Sequence, residues 1–291
     1  DTTPGPLFPG GGEQWRDGFF VVDKWQDSSK LTLTFGLRYE LPTVPHSTNG
    51  NGTILNPQLT AFIPATVPQV IPYTNPNHSD FAPRFGFAYR ATPAWVVRGG
   101  FGIYYNANQL NSYTLATTNP PFSTIYTYNS TPGAILTLAN PVPANSSPTA
   151  PKYPSAFTIN PDLPTARMNQ WSFDVERALW PNAALDVQYL GSHSYHLDRS
   201  YYINTPSPGP GNINSRRPNQ LFGSIRMIQT DVNSNYDALN VVLRQNLTHG
   251  LTVLGSYTWS HNLDINTDSN GGGAPVNPFN WAADYGNSNW D

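Results

Sequence analysis

Apolar and polar positions alternate along this chain with a period of two, in stretch after stretch. In LTLTFGLRYE, residues 31–40, every odd position is apolar or aromatic and the even ones carry Thr, Gly, Arg and Glu. The pattern returns in 81–90, where Phe81, Pro83, Phe85, Phe87 and Tyr89 oppose Ala82, Arg84, Gly86, Ala88 and Arg90. In 95–105, Trp95, Val97, Phe101, Ile103 and Tyr105 stand against Val96, Arg98, Gly100 and Gly102. Later copies set Trp171, Phe173 and Val175 against Ser172, Asp174 and Glu176, and Leu185, Val187 and Tyr189 against Asp186 and Gln188. Leu239, Val241 and Leu243 then oppose Asn240, Val242 and Arg244, and Leu251, Val253, Tyr257 and Trp259 oppose Thr252, Ser256 and Thr258. A less clearly faced strand over 18–26 brings the expected number to about eight.

The connections sort into two kinds. Asp27-Ser28-Ser29, Ala91-Thr92-Pro93-Ala94, Leu179-Trp180-Pro181-Asn182 and Thr248-His249-Gly250 are short and have turn chemistry. Between the hairpins, Pro/Asn/Ser/Thr-rich loops are expected over about 41–79, 106–166 and 191–234, with a last one over 264–291. Strict alternation of tight and long connections belongs to a transmembrane barrel, with short periplasmic turns and long extracellular loops. Stretches of about ten residues are long enough to cross a bilayer when tilted. Aromatics gather at both ends: Tyr89, Trp95 and Trp180 low, and Tyr39, Tyr105, Trp171, Tyr189, Tyr257 and Trp259 high, like two interfacial girdles.

No water reaches the hydrocarbon, so lipid-facing side chains must be apolar and backbone groups must pair across strands. Phe35, Phe87, Val97, Val187 and Val241 are therefore expected to face lipid. Arg38, Glu40, Arg84, Arg90, Arg98, Asp174, Glu176, Asp186 and Arg244 are expected to line the lumen.

Composition narrows the function. Of 291 residues only 11% are charged and 13% are aromatic, with 29 Pro, 23 Gly and no Cys. The net charge of −3 carries no basic excess of the kind that tracks phosphate backbones, so nucleic acid is not an expected partner. The absence of cysteine removes disulfides, thiolate metal sites and cysteine nucleophiles from consideration. No apolar run is long enough for a spanning helix, and Asp1-Thr2-Thr3-Pro4 is not a signal peptide, so an export signal is expected upstream.

Short motifs add little chemistry. Gly99-Gly100-Phe101-Gly102 lacks the Gly-Lys-Ser/Thr of a phosphate loop and reads as strand glycines that permit curvature or close backbone approach. His193 and His196 have a metal-compatible spacing but no acidic third ligand beside them. Asn266, Asp268 and Asn270, followed by Gly271, have the oxygen spacing of a calcium loop, with Asn277 where the bidentate Glu belongs. The sequons at Asn51, Asn77, Asn129, Asn145 and Asn246 would matter in a eukaryotic secretory protein, and Asn246 stands at a strand end. Asp174 and Glu176 share a face and are read as lumen wall rather than as a catalytic pair; no enzyme motif and no cofactor site is expected.

Several stretches resemble those of TonB-dependent receptors, in particular the Oar-like group: LTLTFGLRYE, FAPRFGFAYR, VVRGGFGIYY, NQWSFDVERAL, VQYLGSHSYHL and NSNYDALNVVLRQNLTHGLTVLGSYTWSHNLD. The resemblance covers nearly everything after Gly18. It implies a 22-stranded barrel in the outer membrane of a Gram-negative bacterium, plugged from the periplasm and opened by the TonB complex. The chain shows neither plug nor barrel-closing strand, so it is expected to be a partial barrel domain spanning 1–291: an all-β, open, curved antiparallel sheet with 18–26 at one edge and 251–261 at the other.

The expected function is capture of a substrate, whether small molecule, glycan or peptide, at the extracellular loops and its passage inward. Tyr113, Tyr126, Tyr128 and Tyr153 are candidate loop contacts, because aromatics stack on sugars and chelates. A non-energised scaffold or secretion- or adhesion-associated barrel, and a soluble extracellular β protein, are the alternatives.

Overall fold

The computed structural model describes residues 12–47, 52–64, 77–107, 115–121, 123, 137–139, 152–247, 250–265, 275–289 and 291. Its strands are β1 (Gly12–Glu13), β2 (Arg16–Gln26), β3 (Leu31–Pro42), β4 (His46–Ser47), β5 (Thr53–Leu55), β6 (Phe62–Pro64) and β7 (Asp80–Thr92). They continue with β8 (Trp95–Asn106), β9 (Ala156–Ile159), β10 (Ala166–Trp180), β11 (Ala183–Tyr202), β12 (Ile225–Asn246), β13 (Thr252–Asp264) and β14 (Gly286–Asn287). Helix is confined, among the described residues, to short 3-10 turns at Leu115–Thr118, Asn214–Arg216 and Trp281–Asp284.

One antiparallel sheet dominates, ordered β14-β13-β12-β11-β10-β8-β7-β3-β2, with β9 added in parallel to the first residues of β12. Each long strand pairs with the next long strand in sequence, so the sheet is an uninterrupted meander. Among the described residues β2 has no partner beyond β3, and β13 is covered beyond β12 only where Leu263 and Asp264 meet β14. The sheet is open, and its two edges fall on the strands that the sequence places there.

The short connections lie together at one end. Asn182 closes the β10–β11 turn with a positive φ of 65°, a conformation that Asn tolerates better than most residues. Gly250 does the same before β13 with φ 80°. A bulge between Ala178 and Trp180 turns Trp180 so that its indole donates to Gln245 at 2.5 Å.

The strands run farther than the alternation predicts. β11 has 20 residues and β12 has 22, so much of the loop expected over 191–234 is an extended hairpin and only 203–224 connects the two. The reason is physical. Alternation is enforced only where one face meets hydrocarbon, while backbone pairing continues into water, where both faces are polar and carry no period. A bulge between Ser194 and Leu197, with His196 at φ 56°, marks that change.

The packed core lies in the long connections and against the first residues of β12, not along the alternating segments of the sheet. Ile54, Ala116, Phe157, Ile159, Leu163 and Ile228 form one buried cluster. Leu55, Ala156, Phe222 and Ile225 form another, with Leu59, Phe62 and Ile203 against it. Thus β5, β6, β9, the 115–118 turn and the 203–224 connection fold together on the far end of β12 as a cap. Asn119 is buried and fastens three of these pieces: its amide donates to the carbonyls of Thr53 and Phe157 and accepts from the Phe157 N–H. Asn204 donates to the carbonyls of Asn219, Phe222 and Gly223 and accepts from the Asn219 N–H.

Candidate functional site

Residues directly opposite one another on paired strands share a face, so the register assigns every strand residue to a side. Starting from Asp174, the pairs Asp174↔Arg98, Arg98↔Ala88, Gly102↔Arg84 and Arg38↔Ala82 carry one face across to β3. Glu176↔Asp186, Asp186↔Val242 and Ala184↔Arg244 carry it the other way to β12. Arg38, Glu40, Arg84, Arg90, Arg98, Asp174, Glu176, Asp186 and Arg244 all fall on this face. Phe35, Phe87, Val97, Val187 and Val241 all fall on the opposite one.

The opposite face carries a broad apolar band, interrupted on edge strand β2 by Asp23 opposite Phe35. Phe35, Leu37, Phe81, Phe85, Phe101, Phe173, Leu239, Tyr257 and Trp259 are all exposed on it. An exposed apolar surface of this extent has no stable existence against water and marks contact with lipid. Rings smooth it where side chains are missing. Trp171 covers Gly191 directly opposite, and a Cβ at Gly99 would meet the Phe87 ring at 2.5 Å. Tyr39 stacks on Phe81 at 4.5 Å at the end away from the short turns, and Arg177 lies 4.8 Å from the Trp95 ring at the end near them.

On the polar face, Arg98 bridges two carboxylates of β10, at 3.1 Å to Asp174 and 2.6 Å to Glu176. Asp174 is buried and so depends on this partner more than Glu176 does. Arg38 pairs with Glu40 at 2.7 Å, and the Arg84 guanidinium lies 4.5 Å from the Tyr104 ring. Beside Arg84 the face dips into a depression of about 350 Å³ whose floor includes Gly36, Gly86, Gly100 and Gly102. Gly86 and Gly100 are a direct cross-strand pair, so two neighbouring strands present bare backbone at one point.

The remaining candidates scatter. Tyr153 lies in the cap with the Lys152 ammonium 5.3 Å from its ring, whereas Tyr113, Tyr126 and Tyr128 lie outside the described residues. Asn266, Asp268 and Asn270 also lie outside them. His193 stacks on Tyr195 at 4.0 Å, while His196 sits in the bulge with Nδ1 at 3.4 Å from the Thr230 carbonyl. Above the alternating segments, buried Arg199 holds Asp231 through two contacts at 2.6 and 2.9 Å. The cap was not expected from the sequence. Its only signal is a set of short apolar runs, Thr53-Ile54-Leu55, Phe62-Ile63 and Phe157-Thr158-Ile159, set among Pro, Asn and Thr.

Comparison with known proteins gives the following. No curated protein sequence matches the chain. Among solved structures, the outer membrane transporter YddB from Escherichia coli aligns with a TM-score of 0.49 at 10% identity, over 86% of this chain and 25% of its own. The FrpB iron transporter from Neisseria meningitidis gives 0.49 at 10%, over 89% and 27%. The alcaligin receptor FauA from Bordetella pertussis gives 0.44 at 11%, over 89% and 32%. The chain therefore spans about a quarter to a third of the length of those structures. The sequence family described as the outer membrane beta barrel domain matches residues 5–291, and the chain, with its one apolar and one charged sheet face, belongs to that family of outer-membrane proteins.

Proposed function

We propose that this chain forms part of the wall and outer vestibule of a larger transport barrel, which takes a substrate at the cap and passes it inward along the polar face. The observation that carries the reading is the segregation of nine charged side chains onto one face, where Arg84 borders a glycine-floored depression, with a packed cap at the end away from the short turns. A wall of mixed charge keeps water and polar solutes against the sheet, and bare backbone leaves room for them beside Arg84. The open edges at β2 and β13 support membership in a wider barrel, of the 22-stranded Oar-like kind that the sequence resembles. Energy coupling through TonB belongs to the same proposal and rests on that resemblance.

Two measurements test it. The chain has no cysteine, so single cysteines can be read without background. Cysteines replacing Thr34, Arg84 or Ser172 are expected to react with membrane-impermeant thiol reagents, and those replacing Phe87 or Val97 to remain unreactive. Reaction of the second group in intact outer membranes overturns the assignment of faces. In the source bacterium, deleting the gene and deleting tonB are expected to abolish uptake of the same solute. A deletion phenotype that persists unchanged in the tonB background favours the non-energised scaffold.

A further inference from the structure

Arg84 lines the depression on the polar face with its charge unanswered. Directly opposite it are Gly36 on β3 and Gly102 on β8, so neither neighbouring strand offers it a side chain. The carboxylates of β3 and β10 on this face are committed, Glu40 to Arg38 and both Asp174 and Glu176 to Arg98. What holds the Arg84 side chain is the Tyr104 ring, 4.5 Å from the guanidinium. That contact is built into β8, because a Cβ at Gly102 would stand 2.9 Å from the same ring and push it away. The exposed guanidinium is thus held in place while, among the described residues, its hydrogen-bonding fork has no partner.

The chemistry that answers it follows from the rest of the depression. Thr34, Gln170 and Ser172 line it with groups that both donate and accept, and among the described residues none of these side chains is hydrogen-bonded to protein. Gly86 and Gly100 give it a floor of bare backbone, and Val22 and Leu190 border it with apolar surface. At about 350 Å³ it is at the small end of ligand cavities, with room for a single ring. A ring carrying hydroxyls matches Thr34, Gln170 and Ser172, whereas a bare aromatic ring would strip them of water and return nothing. Arg84 is the sole basic residue among the described residues lining the depression, and one planar fork matches one carboxylate in two parallel hydrogen bonds. A phosphate dianion would keep one charge unanswered there.

We propose that the depression is a binding subsite for a carboxylated sugar ring of the uronate type. Arg84 donates two hydrogen bonds to the carboxylate, Thr34, Gln170 and Ser172 exchange hydrogen bonds with the ring hydroxyls, and the ring lies on the backbone of Gly86 and Gly100. The subsite rests on the reading of this face as the water-filled wall of a transport barrel, and adds to that reading the class of solute.

The test uses the full-length protein in its own outer membrane, with glucuronate as the probe and glucose as its neutral counterpart. Val22→Cys and Leu190→Cys place single thiols beside the depression without touching a group assigned to the solute, and Val242→Cys places one on the same face away from it. Glucuronate is expected to protect the first two from a membrane-impermeant maleimide at a concentration about tenfold lower than glucose requires, as a charge-assisted pair implies. Arg84→Gln, added to either thiol variant, is expected to remove that preference, and Arg84→Lys, a point charge without the fork, to keep only part of it. Gly86→Val, whose Cβ meets only the Gly99 carbonyl at 3.8 Å, fills the depression and is expected to abolish protection. Equal protection by the two sugars, no protection by glucuronate, an undiminished preference with Arg84→Gln, or equal protection of Val242→Cys overturns the proposal. If Val22→Cys and Leu190→Cys are unreactive without sugar while Val242→Cys reacts, the proposal falls in favour of a segment of the full protein seated on Arg84, and the wall reading stands. Three unreactive thiols overturn the wall reading itself.

Discussion

Ser172 and Phe173 are neighbours in the chain and lie on opposite faces of the sheet, proposed to meet water and lipid. Phe173 is exposed on the apolar band between Gly99 and Tyr189, whereas Ser172 lines the depression beside Gly100. An arginine on the lipid-facing midplane costs about 2–4 kcal/mol, because its charge has neither water nor a partner there. Phe173→Arg is therefore expected to lower the stability of the folded barrel by about that amount, and Ser172→Arg by less than about 1 kcal/mol. Urea titration of folding into lipid vesicles measures both. Equal losses at the two positions would mean that the faces are not lipid and water. The same reasoning explains why Asp174 and Glu176 of β10 stand on the even face, where Arg98 answers both, while Arg177 on the odd face lies at the end of the strand near the short turns, against the Trp95 ring.

Elements behave differently in the band and beyond it. Within the band a strand is held by its neighbours' backbone and by lipid, and its sequence is periodic. Beyond it, β11 and β12 continue as a long hairpin whose support is the cap: β9 along Ile225–Ile228, and Phe222 and Ile225 packed with Leu55 and Ala156. Buried Asn204 is the fastener of the 203–224 connection, and removing its side chain leaves the carbonyls of Phe222 and Gly223 and the Asn219 N–H without that partner. At about 1–3 kcal/mol for a buried group left unsatisfied, Asn204→Ala is expected to raise amide exchange at least about tenfold across 203–224 and 53–64. Exchange in β8 and in the lower half of β10 is expected to stay unchanged. Exchange that rises equally everywhere, or not at all in the cap, would show that the cap is not a separate cooperative unit.

At the scale of the whole molecule the open edges decide behaviour. β2 and β13 are exposed along their spanning length, and neither pairs with the other among the described residues. Unpaired backbone is not tolerated in hydrocarbon, and the proposed wider barrel is what would supply these edges with partners. If Val21 and Tyr257, both on the apolar face of the two edge strands, are replaced by cysteine in the cysteine-free chain, no disulfide between them is expected on oxidation in the membrane. Efficient cross-linking would mean that eight long strands close by themselves into a small pore, and the proposal of a larger transport barrel would fall.

The sequence by itself determined the spanning strands, their short turns, their order and the side to which each residue points. That information is local: a period of two is written wherever one face meets hydrocarbon, and Leu31 to Tyr39 or Phe81 to Tyr89 suffice to read it. Turn chemistry at Pro181-Asn182 and Gly250 is local as well. What only the tertiary structure decided is what happens outside the hydrocarbon. Phe157, Ile54 and Ile228 are far apart in the chain and meet in one cluster, and no local period announces a contact between segments so distant. The same holds for Arg98, Asp174 and Glu176, which only the pairing of β8 with β10 brings together, because register is a relation between strands and not a property of either one.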